Sequence, residues 1–133
     1  MDRKATARET LRILEQGYYL YGDQRISIEE AHEKSVKESV LITPEEGAQL
    51  LAAYEEGSRR GDEKCGCTVG DISTVEAAWK LSLEGKKNIA ILNFASAKNP
   101  GGGFINGAMA QEESLAASSG LYRTLTVHEE YYR

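Results

Sequence analysis

The chain has 133 residues, 41% hydrophobic and 28% charged, enough for one globular core burying about two thirds of the surface of the unfolded chain, and too little for two. With 16 basic against 21 acidic residues the net charge is −5, and the Lys and Arg are scattered. That makes duplex DNA a poor partner but leaves an anionic ligand open, because backbone N–H groups in a glycine loop or at a helix start hold phosphate without a lysine. No apolar run approaches the about 18 residues of a membrane span, and the charged opening from Met1 to Ala7 does not read as a secretory signal, so the expected compartment is the cytoplasm.

From Arg3 to Gln16, Ala7, Leu11 and Leu14 recur at i, i+4 and i+7 with Gly17 as a stop, which predicts an amphipathic helix. Tyr18-Tyr19-Leu20-Tyr21 and Arg25-Ile26-Ser27-Ile28 flank Gly22-Asp23-Gln24 and read as a hairpin whose tyrosines serve packing. Thr43-Pro44-Glu45-Glu46 is a capping box with proline at the first helical position, and Gly47, Leu50, Leu51 and Tyr54 form one stripe before Gly57. The charged, glycine-broken stretch from Ser58 to Lys64 is the expected flexible connection. Cys65 and Cys67, with His32 and His128 far away, lack a spacing suited to zinc and read as reduced thiols beside a strand.

Cys67-Thr68-Val69 reads as a short strand, and Ser73-Thr74-Val75-Glu76 as a second capping box opening a helix with Val75, Ala78 and Trp79 on its stripe and Gly85 at its end. Asn88-Ile89-Ala90-Ile91-Leu92-Asn93-Phe94-Ala95 is almost continuously apolar, as in a strand covered on both faces. Strand, helix and strand predict a βαβ unit with a parallel pair, and the fold class is α/β. Residues 1–133 are expected to be a single domain, with 1–64 a helical region carrying the hairpin and 65–133 a βαβ core.

Ligands of such sheets bind beyond the carboxyl ends of the strands, where Ser96-Ala97-Lys98-Asn99-Pro100-Gly101-Gly102-Gly103-Phe104 follows. Three successive glycines lose backbone entropy on ordering, and the usual return is positive φ or a backbone that touches a ligand. Gly101, Gly103 and Gly107 miss the dinucleotide spacing by one residue and no Gly-Lys-Ser/Thr follows, so this is neither a Rossmann fingerprint nor a P-loop. The triplet alone leaves ligand loop and tight turn equally open. Ala110-Gln111-Glu112-Glu113-Ser114-Leu115 begins a helix predicted to run to about Leu125, with Leu115, Ser119 and Tyr122 on one side. Two glutamates in a first turn need no more explanation than about 0.3–1 kcal/mol from the helix dipole. Seven residues separate Gly103 from Gln111, however, enough for the loop to return the carboxylates over the glycines.

The stretch from Asn93 to Tyr122, opening Asn-Phe-Ala-Ser-Ala-Lys-Asn-Pro-Gly-Gly-Gly-Phe and continuing Ala-Gln-Glu-Glu-Ser-Leu, resembles the core of the microbial-type poly(ADP-ribose) glycohydrolases. Their signature is a triple glycine, a short spacer and Gln-Glu-Glu. The resemblance implies a macrodomain-like fold, a mixed sheet flanked by helices with ADP-ribose in a cleft at strand ends. It also implies hydrolysis of the ribose–ribose O-glycosidic bond of poly(ADP-ribose), releasing ADP-ribose, with neither metal nor organic cofactor. By motif position it implies Glu113 as the catalytic acid, Gln111 and Glu112 as residues positioning the ribose, Gly101, Gly102 and Gly103 as ligand lining, and Asn99 as a further contact. Consecutive helical residues point about 100° apart, so Glu112 can hold a hydroxyl while Glu113 faces the bond. Glycosidic cleavage requires a protonated carboxyl at the leaving oxygen, whereas a helix N-terminus favours the charged form. A bound diphosphate and exclusion of water are therefore expected to raise the pKa of Glu113.

Members of that family are longer, adding further strands and a second glycine loop around the diphosphate, for which Thr126 to Arg133 is too short. The chain is accordingly expected to be truncated at its C-terminus, to be completed by another chain or its own copy, or to be a remnant that binds without hydrolysing. Three functions follow: a glycohydrolase, a noncatalytic ADP-ribose-binding module, or an inactive structural fragment that self-associates through the unpaired edge of the strand from Ile89 to Ala95.

Overall fold

Residues 2–57 and 65–133 are described by a computed structural model; the connection predicted from Ser58 to Lys64 lies outside the described residues. Contacts divide the chain into two units, Met1–Ser39 with Ile72–Arg133, and Val40–Asp71.

The first unit begins with α1 (Arg3–Gln16), whose N-terminus is capped by the Asp2 carboxylate accepting from the N–H groups of Lys4 and Ala5 at 3.0 and 3.2 Å. Gly17 ends it at φ +77°, donating its N–H to the carbonyl of Ile13, a left-handed cap that favours glycine. The predicted stripe faces the core: Ala7 and Leu14 are buried, and Ala7 packs with Phe104 and Ala116 inside a ring of Leu11, Ala117 and Tyr122. Burying a ring such as that of Phe104 contributes roughly 1.5–3 kcal/mol.

In the hairpin, β1 (Tyr18–Tyr21) pairs antiparallel with β2 (Gln24–Ser27), Tyr18 opposite Ser27 and Tyr21 opposite Gln24. Its turn is therefore the two residues Gly22-Asp23, one fewer than predicted, with Gly22 at φ +58° as two-residue hairpin turns require. Tyr18 packs under the Arg25 guanidinium, 3.8 Å from ring centroid to Cζ, while Tyr19 and Tyr21 are exposed. Next comes α2 (Glu29–Lys37), a helix absent from the predicted elements because its inward stripe is only His32 and Val36. Glutamates in its first turn and lysines in its last complement its dipole.

The second unit carries α3 (Pro44–Gly57) with its predicted capping box: Glu46 N–H donates to Thr43 Oγ1 at 3.2 Å, and Thr43 N–H to the Glu46 carboxylate at 2.8 Å. No residue of α3 is buried, so the stripe of Leu50, Leu51 and Tyr54 stands exposed. Both cysteines are free and exposed. Among the described residues no group of His, Cys, Asp and Glu could hold a metal, and no helix is long and apolar enough to cross a membrane.

Back in the first unit, α4 (Thr74–Leu83) starts as predicted, with Ser73 Oγ accepting from Glu76 N–H at 3.1 Å. The strands predicted on either side of it do not form: neither Cys67–Val69 nor Asn88–Ala95 joins a ladder, and the sheet among the described residues is the two-stranded hairpin. A ladder needs a second backbone alongside. Without one, a run composed for cover on both faces is left with Leu92 73% and Phe94 70% exposed. The single helix predicted from Gln111 to Leu125 is instead two, α5 (Gln111–Ser118) and α6 (Leu121–Thr126). Ser119 breaks it by turning its hydroxyl onto the backbone, donating to Leu115 O at 2.7 Å and accepting from Leu121 N–H at 3.2 Å. Short 3-10 turns span Phe104–Asn106 and Glu129–Tyr132.

Candidate active site

The glycine loop is a chain of tight turns. Gly102 N–H donates to Asn99 O at 3.0 Å, Phe104 N–H to Gly101 O at 3.2 Å, and Asn106 N–H to Gly103 O at 3.0 Å. Gly101 and Gly102 both lie at positive φ, +70° and +59°, so the backbone requires glycine at both. Space requires it too. A Cβ on Gly101 would sit 3.0 Å from the Tyr122 ring, one on Gly102 would collide with Glu113 Oε1, and one on Gly103 would lie 2.8 Å from the Ala108 methyl.

Facing this loop is the first turn of α5. Ala110 gives α5 no side-chain cap, and the two glutamates reach outward to the loop's own N–H groups instead. Glu112 is only 3% exposed. One of its oxygens accepts from Gly101 N–H at 3.2 Å and Asn93 Nδ2 at 3.4 Å, and the other from Ser96 N–H at 2.7 Å. Charge-assisted bonds of this kind are roughly twice as strong as neutral ones. Glu113 is half-buried; its Oε1 accepts from Gly103 N–H at 3.0 Å, and its Oε2 takes no hydrogen bond among the described residues. Gln111 is spent on the chain itself: Oε1 accepts from Phe94 N–H at 2.9 Å, while Nε2 donates to Leu92 O at 2.8 Å and Thr74 Oγ1 at 3.4 Å.

A cleft of about 490 Å³ opens beside Glu113, walled by Ser96, Asn99, Gly102, Gly103 and Tyr122. Of the residues the motif singled out, Asn99, Gly102, Gly103 and Glu113 line it. Gly101 is buried beneath Tyr122 and Phe104, and Gln111 and Glu112 stand behind the loop, outside that lining. Chemically, the cleft wall offers one carboxyl oxygen pinned by a backbone donor and a second that no group among the described residues engages.

Ser96, Asn93 and Tyr122 were not among the sequence candidates. Tyr122 was legible only as part of a helical stripe; its ring packs on Phe104 at 5.0 Å between centroids and roofs Gly101. Ser96 contributes through its backbone N–H, for which side-chain chemistry carries no signal. Tyr132 also comes close: burial first, and then the negative charge of Glu112, holds its hydroxyl above the usual phenol range.

The family model of the microbial-type PARG catalytic domain matches residues 7–133. Among solved structures, the poly(ADP-ribose) glycohydrolase of Thermomonospora curvata superposes with a TM-score of 0.91 at 39% identity, covering 98% of this chain and 47% of that one. A variant of the same enzyme with one glutamate changed to alanine matches with a TM-score of 0.83 at 39% identity. The enzyme bound to the inhibitor ADP-HPD also matches at 0.83, with 40% identity; both alignments cover 98% of this chain and 45% of the relative. Among curated proteins nothing matches. The likeness shows the macrodomain-like fold class expected from the sequence, and this chain spans about half the length of these solved relatives.

Proposed function

The chain belongs to the family of microbial-type poly(ADP-ribose) glycohydrolase catalytic domains, and from that premise we propose that it forms the glycine-loop and carboxylate wall of a site that hydrolyses the ribose–ribose O-glycosidic bond of poly(ADP-ribose). Glu113 is the general acid of this reading, and Asn99, Gly102 and Gly103 are the ligand-lining residues. The supporting observation is the placement of the Glu113 carboxylate: Oε1 is held by Gly103 N–H at 3.0 Å, Oε2 takes no hydrogen bond among the described residues, and Glu113 lines a cleft of about 490 Å³. A glycosidic oxygen seated there would take the proton as the bond to the anomeric carbon breaks, and water would complete the hydrolysis.

The reading is tested by incubating the chain with poly(ADP-ribose) and following ADP-ribose release, beside calorimetry with ADP-ribose. Glu113→Gln is expected to lower release by at least about a hundredfold, the scale of a general acid, while ADP-ribose affinity stays within a few-fold. Turnover retained in that variant would remove Glu113 from the role. Binding without turnover in the unaltered chain would turn the reading into that of a noncatalytic ADP-ribose module. A cytoplasmic place of action is part of the proposal, supported by the free, exposed thiols of Cys65 and Cys67, which suit a reducing compartment.

A further inference from the structure

Phe94 N–H can only donate and Leu92 C=O can only accept, so their bonds to Gln111 Oε1 and Nε2, 2.9 and 2.8 Å, fix the orientation of the amide. In an extended chain the carbonyl of one residue and the N–H two residues on face the same side, where a neighbouring strand would bond. The Gln111 amide thus occupies the place of the N–H and C=O of one residue of a parallel neighbour, a strand this segment lacks among the described residues. The amide in turn reaches Thr74 Oγ1, on the first residue of α4, at 3.4 Å. The same segment carries the donors that hold Glu112, the Asn93 amide and Ser96 N–H.

We propose that Gln111 and Thr74 are positioning residues of the site: Gln111 acts through the backbone from Leu92 to Ser96 rather than on the ribose, and Thr74, outside the Gln-Glu-Glu motif, sets the amide that does so. With Gln111 in place, Ser96 and Gly101 present their N–H groups to Glu112, and the loop that follows presents Gly103 N–H to Glu113. The effect on ligand binding rests on the glycohydrolase reading; the effect on the backbone does not.

The test is amide hydrogen exchange of the ligand-free chain, with ADP-ribose calorimetry alongside. Gln111→Met keeps the length and loses both bonds; exchange at Phe94, Ser96 and Gly101 is expected to quicken about tenfold or more, with amides of α1 unchanged, and ADP-ribose affinity to fall by a similar factor. Thr74→Val is expected to quicken the same amides about threefold, and Thr74→Ser, which retains the hydroxyl, to restore them. Unchanged protection at those amides with a lost affinity would mean that Gln111 contacts the ligand, and overturns the proposal. So would a uniform increase that includes α1, or equal behaviour of Thr74→Val and Thr74→Ser. The Thr74 pair decides the matter if Gln111→Met does not fold, and a chain that binds no ADP-ribose at all still yields the exchange result.

Discussion

Glycines of the same backbone class differ in what their replacement does. Gly102 and Gly85 both have positive φ, +59° and +75°, but a Cβ on Gly102 runs into the Glu113 carboxylate, whereas one on Gly85 meets nothing within 4 Å. Gly85→Ala is expected to cost only backbone strain, about 1–2 kcal/mol, with ADP-ribose affinity unchanged. Gly102→Ala adds the displacement of Glu113 to a similar strain and is expected to lower ADP-ribose affinity at least about tenfold. Equal affinities in the two variants would separate the loop from the ligand. His32, 9% exposed and with Nε2 lacking a partner among the described residues, behaves differently. Burial first, and then the nearby Arg123 charge, lower its pKa from 6.5, against a smaller opposing pull from Glu33. The unfolded chain therefore takes up this proton before the folded one does, so stability is complete above about pH 6.5 and falls as pH drops from there towards the lowered folded-state value. Urea midpoints between about pH 7.5 and 5.5 are expected to fall less steeply in His32→Gln; an unchanged slope would exclude His32 as their source.

Helices α1, α3 and α4 begin where their side-chain caps, Asp2, Thr43 and Ser73, say they do. Ser73→Ala removes the acceptor for Glu76 N–H and is expected to cost about 1 kcal/mol, read as a lowered urea midpoint; a midpoint unchanged within error would show that the first turn of α4 does not need this cap. Caps and stripes were legible because they act within a few residues of sequence: Thr43 with Glu46, Ser73 with Glu76, and Ala7 with Leu11 and Leu14. The hairpin was legible too, its partner strand lying one turn away, but the strands expected on either side of α4 were not, since a ladder with a distant partner depends on a second backbone that the local pattern cannot supply; the run from Asn88 to Ala95 has the right composition and no partner strand among the described residues. The break at Ser119 was hidden for a related reason. Its hydroxyl competes for the backbone, and Gly120 packs so near His32 that a Cβ there would be 2.6 Å from Nδ1, a contact distant in sequence. The convergence of the glycines with Glu112 and Glu113 was legible from loop length, whereas the bonds of Gln111 to Leu92, Phe94 and Thr74 became visible only once the chain was folded.

At the scale of the molecule, local order and apolar cover part company. Gln111, Glu112 and Glu113 accept from five backbone and side-chain donors, Phe94 N–H to Gln111 and those of Asn93, Ser96, Gly101 and Gly103 to the two glutamates, yet Ile91, Leu92 and Phe94 just before the loop stand open, as does Trp79 on α4. Large contiguous apolar surface is a driving force for association, and an extended segment without a ladder partner adds unpaired N–H and C=O groups to it. The chain by itself is therefore expected to self-associate over a roughly hundredfold concentration range in sedimentation velocity, through this segment. Leu92→Lys with Ile91→Lys places two charges on it without touching the backbone bonds of Leu92 and Phe94 to Gln111, and should shift the distribution to monomer while leaving the exchange protection of Ser96 and Gly101 intact. Salt separates this from charge pairing: because burial of apolar area drives it, association should strengthen with added sulfate, where surface ion pairs would weaken. A chain monomeric at every concentration, or a doubly charged variant that associates as before, would show that this surface does not mediate assembly.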